Sequence, residues 1–240
     1  MPTSPIIVAY DGSPNADDAV ALGNLLAHLT GAPLALAHVY RTPSQSPREG
    51  AGVAEGRAKL ARRAAEEVLS RGAQLVDRDV ARLVVSSTTT ATGIRTVATR
   101  EHAALVIFGS AQRTLPGRVH PGSASRRLLH GLPCAIGLAP VSFRERSHSG
   151  LEAIAVAHDD PTRAAQHSAE ELALQAGAEV AADERDGDLV FVGSAAGAQR
   201  GQVLVNAVTN RLIQTAATPV VVVPYAEALH LAATAVSAAA

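Results

Sequence analysis

Pro5-Ile6-Ile7-Val8-Ala9-Tyr10-Asp11-Gly12-Ser13-Pro14 decides the fold. Ile6 to Ala9 is a short apolar run without polar alternation, which predicts a strand buried on both faces, as in a parallel sheet. Asp11-Gly12 breaks the run. Ser13 is a good helix N-cap, and Pro14 stands where the first helical residue belongs. Asp17 and Asp18 put negative charge near the positive end of the predicted helix dipole. Ala19, Leu22, Leu26 and Leu29 recur at helical spacing and predict one buried face. Gly31 and Pro33 end the helix.

The alternation continues. Leu34 to Tyr40 reads as a second strand, and residues 41 to 52, with Pro43, Pro47, Gly50 and Gly52, as a loop. Val53 to Arg71 is helical in pattern. Leu83 to Ser86 is a third strand and Thr92 to Glu101 a helix. Leu105 to Phe108, ending in Gly109-Ser110, is a fourth strand. Ser123 to Gly131 is a helix, and Ala135 to Leu138, closed by Pro140, is a fifth strand. Strands alternating with helices predict βαβ units with right-handed crossovers, hence an α/β fold with a doubly wound parallel sheet.

The opening pattern then returns. Ile154-Ala155-Val156-Ala157-His158-Asp159 repeats Ile6 to Asp11 in type and order. Leu189 to Ser194 repeats Leu105 to Ser110, and Thr218 to Pro224 repeats the Pro133 to Pro140 strand. Landmarks in the same order read as an internal duplication. The expected organisation is a first lobe over residues 1–140, a polar linker over 141–150, a shortened second lobe over 151–224 and an Ala-rich tail over 225–240. The shortening falls between Gly177 and Asp188, where the first lobe has a helix, a strand and another helix. A lobe so reduced should lean on its neighbour to cover its sheet.

Composition narrows the function. The chain has 240 residues, 47% of them apolar and 18% charged, with a formal net charge of −1. That balance argues against an electrostatic footprint for nucleic acid, and 2% aromatics with no Trp leave no stacking surface for single strands. The lone cysteine, Cys134, fits a reducing cytoplasm. Neither a signal peptide nor a membrane span is expected. Walker-type and G-x-G-x-x-G phosphate loops are absent, as are zinc spacings and a nucleophile elbow, so no catalytic or metal site is expected.

In an open parallel sheet, ligands bind beyond the carboxyl ends of the strands. Asp11 follows strand one, where it either meets a ligand or makes an Asx-turn. Gly109-Ser110 ends strand four; the glycine either lets a ligand approach or permits a tight turn, and the serine offers a hydroxyl. Gly122-Ser123 opens the last helix of the lobe, whose free N–H groups suit phosphate. Ser123 and Ser125 could add hydroxyls, and Arg113, Arg118, Arg126 and Arg127 positive charge. The alternative is a plain cap among solvated arginines.

Together these residues resemble the universal stress protein family, whose pattern G-x2-G-x9-G-[ST] is met here by Gly109, Gln112 and Gly122-Ser123, with glutamine in place of the middle glycine. Val8 to Ser13, Ala37-His38-Val39-Tyr40 and Leu132-Pro133-Cys134-Ala135-Ile136 resemble further stretches of that family, as does Asp188 to Ser194 in the second lobe. The resemblance implies a Rossmann-like fold of the adenine-nucleotide-hydrolase type and a stress-response regulator binding ATP or AMP, with Mg²⁺ as an option, in the first lobe. The residues it implicates are Ala9, Tyr10, Asp11, Ser13, Val39, Phe108, Gly109, Gln112, Gly122, Ser123, Ala124 and Ser125. Asp11 would meet the nucleoside, Val39 would flank the base, and Gly122 to Ser125 would hold phosphate. A side chain at Gln112 could intrude on the phosphate path.

In the second lobe the last pair of the motif is Asn206-Ala207, so no nucleotide is expected there. The resemblance also implies pairing of the lobes through their fifth strands and leaves a homodimer open. A second reading is an interaction or dimerisation module of the same family that binds no nucleotide; a third, less supported, is an enzyme of the wider hydrolase-like group.

Overall fold

The computed structural model describes residues 4–41, 51–146, 150–157 and 160–232. The first half runs β1 (Ile6–Ala9), α1 (Pro14–Thr30), β2 (Leu34–Tyr40), α2 (Ala51–Ala73), β3 (Ala81–Ser86), α3 (Thr90–Arg100), β4 (Leu105–Gly109), α4 (Ser123–Leu128) and β5 (Ala135–Ala139). The second runs β6 (Ala153–Val156), α5 (Ala164–Ala176), β7 (Glu179–Ala181), β8 (Leu189–Gly193), α6 (Ala207–Thr215) and β9 (Val220–Val223). All the strands join one nine-stranded sheet in the order β3-β2-β1-β4-β5-β9-β8-β6-β7. Neighbours are parallel except β5 and β9, which meet antiparallel. Helices cover both faces, and the core forms two layers, one on each side of the sheet.

Local chemistry explains α1. Ser13 sits in extended backbone, its Oγ accepts from Ala16 N, and Pro14 follows it. Gly31, at φ 69°, stops the helix in the left-handed region that glycine enters without strain. β4, β5, β8 and β9 are buried along almost their whole length, as apolar strands covered on both sides must be.

Two hydrogen bonds of a buried serine recur in both halves. Ser110 Oγ donates to Ala139 O and accepts from His120 N; Ser194 Oγ donates to Val223 O and accepts from Leu204 N. The spacings, 29 and 10 residues, are the same in each half. Gly117 and Gly201 both turn at positive φ, +71° and +74°. Across the seam the contacts are reciprocal. Val119 N donates to Ala216 O, and Val203 N donates to Leu132 O. Gly137 opposes Val221, flanked by Ile136 with Val222 and Leu138 with Val220. The β5–β9 seam is therefore close to a local two-fold axis. The segment absent from the second half corresponds to α2, β3 and α3, a helix, a strand and a helix.

Several element ends shift by a few residues from the sequence reading, as α4 does in stopping at Leu128 rather than Gly131, and three differences go further. Residues 141–150 are not a bare polar linker: Phe143–Glu145 form a 3-10 turn, and Phe143 is 2% exposed against the first-half core. Asp18, 1% exposed, holds that turn by accepting from Ser142 N and Arg144 N, with the Arg144 guanidinium beside it and donating to Pro14 O. Burial pushes the Asp18 carboxyl above its ordinary range, against the pull of those donors. The polar composition hid the turn because its anchor is on α1, more than a hundred residues earlier. The tail is anchored too: Leu229 N donates to Ser168 Oγ and Gln175 Nε2 to Leu231 O, both on α5. Finally, α2 starts at Ala51, inside the predicted loop, whose residues 42–50 lie outside the described residues.

Candidate functional site: a cleft at the carboxyl ends of β1, β2 and β4

A cleft of about 380 Å³ opens where β1, β2 and β4 end, between the starts of α1, α3 and α4. Every site residue read from the sequence lines it: Ala9, Tyr10, Asp11, Ser13, Val39, Phe108, Gly109, Gln112, Gly122, Ser123, Ala124 and Ser125. The strand order makes this convergence, because β1 lies between β2 and β4 and their crossovers leave on opposite faces. Asn15, Ala37, His38, Thr90, Ile94 and Ser110 line it as well. Thr90 and Ile94 carried no sequence signal, since nothing local says that α3 roofs this space. Asn15 had one in its position, two residues past the N-cap.

One end of the cleft is apolar. Ala9, Ala37, Val39, Ile94 and Phe108 belong to, or pack against, a single layer of the core. Strand alternation turns Tyr10 to the opposite layer. Its ring packs against Gly72 of α2 and its hydroxyl donates to Asp17 at 2.9 Å. Burial, then that bond, pushes the phenol pKa up to about 12. Its carbonyl is 2.7 Å from His38 Nδ1, so Nδ1 carries the proton and Nε2 is left as an acceptor in the neutral ring.

At the other end, the reading of several residues changes. Asp11 makes the Asx-turn, with Oδ1 accepting from Ser13 N at 3.0 Å, and remains exposed. Gly109 is not a ligand-approach glycine: a Cβ there would lie 1.9 Å from Asn15 O, so the space belongs to the first turn of α1. The same helix turn reaches back, with Asn15 Nδ2 donating to Ser110 O and Ala111 O. The Ser110 hydroxyl is spent on Ala139, Arg118 and His120 and offers a ligand nothing. Ser125 is buried, its hydroxyl donating to Gly122 O. Arg118 donates to Thr215 O across the seam, and Arg126 folds back on His120 and Pro121. Arg113 and Arg127 are exposed.

Gly122 is different. A Cβ there would meet nothing within 4 Å, and the residue gives α4 no side-chain cap. The first-turn N–H groups, from Ser123 on, have no intrahelical acceptor. Gln112 stands exposed on the rim with an ordinary negative φ, so no backbone demand for glycine exists there.

In the second half the equivalent helix start is capped. Asn206 caps α6, its Oδ1 accepting from Thr209 N at 2.8 Å. Asp160 takes the space beside Gly193, with Oδ1 2.6 Å from where a Cβ would be, and accepts from Ala165 N and Gln166 N of α5. Asp159, matched to Asp11 by sequence, lies outside the described residues. Among the described residues no group of His, Cys, Asp and Glu could hold a metal ion, and no helix is long and apolar enough to cross a membrane.

A family model described as the universal stress protein family matches residues 2–138, more than half of the chain. The chain belongs to the universal stress protein family. Solved structures extend the likeness of fold to both halves. A universal stress protein from Archaeoglobus fulgidus DSM 4304 superposes with a TM-score of 0.66 at 13% identity, covering 94% of this chain and 100% of that one. A protein from Pseudomonas aeruginosa PAO1, described as functionally unknown, superposes with a TM-score of 0.60 at 14% identity over 94% of each chain. No curated protein matches the chain.

Proposed function

We propose that this universal stress protein binds an adenine nucleotide, ATP or AMP, in the first-half cleft and serves as a non-catalytic regulator of stress responses in the cytoplasm. The observation that carries the reading is the contrast between Gly122 and Asn206. One helix start is left uncapped and open on a cleft; its counterpart is capped by its own side chain. The base would lie against Ala9, Val39, Ile94 and Phe108, with the free carboxylate oxygen of Asp11 near the ribose. Phosphate would meet the amides of Ser123 and Ala124 and the exposed Ser123 hydroxyl. The volume falls within the range of small-molecule pockets. Any Mg²⁺ would arrive with the phosphates and keep most of its own waters.

The test is calorimetric titration with ATP and with AMP, with and without Mg²⁺, on the wild type and on a Gly122→Val/Ser123→Ala variant. Saturable heat in the wild type that the variant loses supports the reading. Absence of both heat and thermal stabilisation at saturating nucleotide overturns it, because a ligand of the folded state must raise its stability. The second reading, a pairing module that binds no nucleotide, would then stand on the reciprocal β5–β9 seam.

A further inference from the structure

β2 runs past the end of β1 and leaves one residue of its ladder unpaired. Ile6 N donates to Pro33 O and Tyr10 N to Ala37 O, so the odd-numbered residues along β2 turn their backbone groups toward β1. Tyr40 turns the other way, its carbonyl accepting from Ser87 N just after β3. Val39 therefore presents its N–H and C=O toward β1, one step past Ala9 and Ala37, the last pair of the β1–β2 ladder. If the ladder ran one step further, Val39 N would donate to Tyr10 O. That bond is not made: among the described residues Val39 N has no acceptor, and Val39 lines the cleft.

A side chain holds the acceptor instead. His38 Nδ1 lies 2.7 Å from Tyr10 O and donates to it. Tyr10 is fixed on its other sides as well, with its amide on Ala37 O, its hydroxyl on Asp17 and its ring against Gly72. The imidazole thus stops the ladder and holds the strand end from which Asp11 follows. Among the described residues the second half has no such device. The β6–β7 ladder stops at Ala155 with Ala181, and Ala155 matches Ile7, two residues before Ala9.

We propose that His38 is a positioning residue of the nucleotide site: by occupying Tyr10 O it keeps the Val39 N–H and C=O open for the edge of the base, and it sets Asp11 beside them. This rests on the nucleotide reading above. A base edge carries donors and acceptors side by side, which a free N–H and C=O against an apolar wall can match. His38 acts through Tyr10 and Val39. With leucine at position 38, Tyr10 O is released, Val39 N–H closes onto it, and the ladder gains a pair at the expense of the site.

Amide hydrogen exchange resolved at Val39, on the full chain without nucleotide, tests the hold on the ladder, and calorimetric titration with ATP tests its consequence. In the wild type Val39 N–H should exchange about tenfold or more faster than Ala37 N–H, which lies inside the ladder. In His38→Leu the Val39 exchange should slow by about tenfold or more, and ATP affinity should fall by about tenfold or more. His38→Asn, whose amide nitrogen stands near the place of Nδ1, should keep both within about threefold. Circular dichroism checks that both variants are folded. A Val39 N–H as protected in the wild type as that of Ala37 overturns the proposal whether or not the leucine variant folds. A folded His38→Leu protein with unchanged exchange or unchanged ATP affinity overturns it too. A wild type that binds no ATP while Val39 exchanges fast refutes the nucleotide reading and leaves the hold of His38 on Tyr10 O standing.

Discussion

Replacing Gly109 by alanine separates two reasons for a glycine at the edge of a binding cleft. The added Cβ would lie 1.9 Å from Asn15 O and 2.4 Å from Asn15 C, about half of an ordinary van der Waals separation. The obstacle is backbone in the first turn of α1, so no rotamer change relieves it. Either the turn moves away from β4 or β4 bends. Both loosen the two bonds from Asn15 Nδ2 to Ser110 O and Ala111 O. Overpacking costs about 1–3 kcal/mol, and two weakened hydrogen bonds add about 1 kcal/mol each, so Gly109→Ala should lose roughly 3 kcal/mol or more. In a chain of this length that corresponds to a fall in Tm of about 6–12 °C. Gly122→Ala is the control: its Cβ meets nothing, and the loss of a glycine N-cap costs about 1 kcal/mol or less. Urea denaturation with matched thermal melts reads both. If Gly109→Ala is as stable as the wild type, the steric reasoning is wrong and the residue is kept for another purpose.

Removing the Ser194 hydroxyl (Ser194→Ala) should cost about 1–3 kcal/mol, because Val223 O and Leu204 N lose a buried bridge; Ser110→Ala should cost a similar amount, and urea midpoints check the match. Asp18→Ala should free the 142–146 turn at a cost of about 2 kcal/mol or more, seen as new protease cleavage there while Arg144→Ala alone leaves the turn protected. Tyr10 and Cys134 both have pKa values pushed up to about 12 by burial, from 10.0 and 9.0. For each, the folded value exceeds the unfolded one, so the unfolded chain releases its proton first. Stability is therefore intact below about pH 9 and should fall between pH 9 and 12, by up to about 1.4 kcal/mol per pH unit per group. Unfolding free energies across that window should flatten in Tyr10→Phe and Cys134→Ala; a wild-type curve that is already flat contradicts the assignment.

Much of the fold and cleft was legible in the chain. Runs such as Ile6 to Ala9 and Leu105 to Phe108 specify buried strands because only a doubly covered sheet accepts unbroken apolar residues. Ser13-Pro14 and Gly31 mark the ends of α1 by local chemistry alone. Placing site residues at strand ends likewise needs only the rule for parallel sheets.

What each polar atom does was not legible, because hydrogen-bond partners are set by distance in space. Ser110 and Ser125 read as ligand hydroxyls until Ala139 and Gly122 are seen to take them. Gly109 and Gly122 are the same letter in the same motif, yet one makes room for Asn15 and the other opens on the cleft. Phe143 and the polar residues beside it read as linker because Asp18 is far away along the chain. By itself the sequence determined the periodicities, the caps and the duplication, which are properties of neighbouring residues. Tertiary structure alone decided which donors are spent and which glycine is open, because those depend on what lies across a gap.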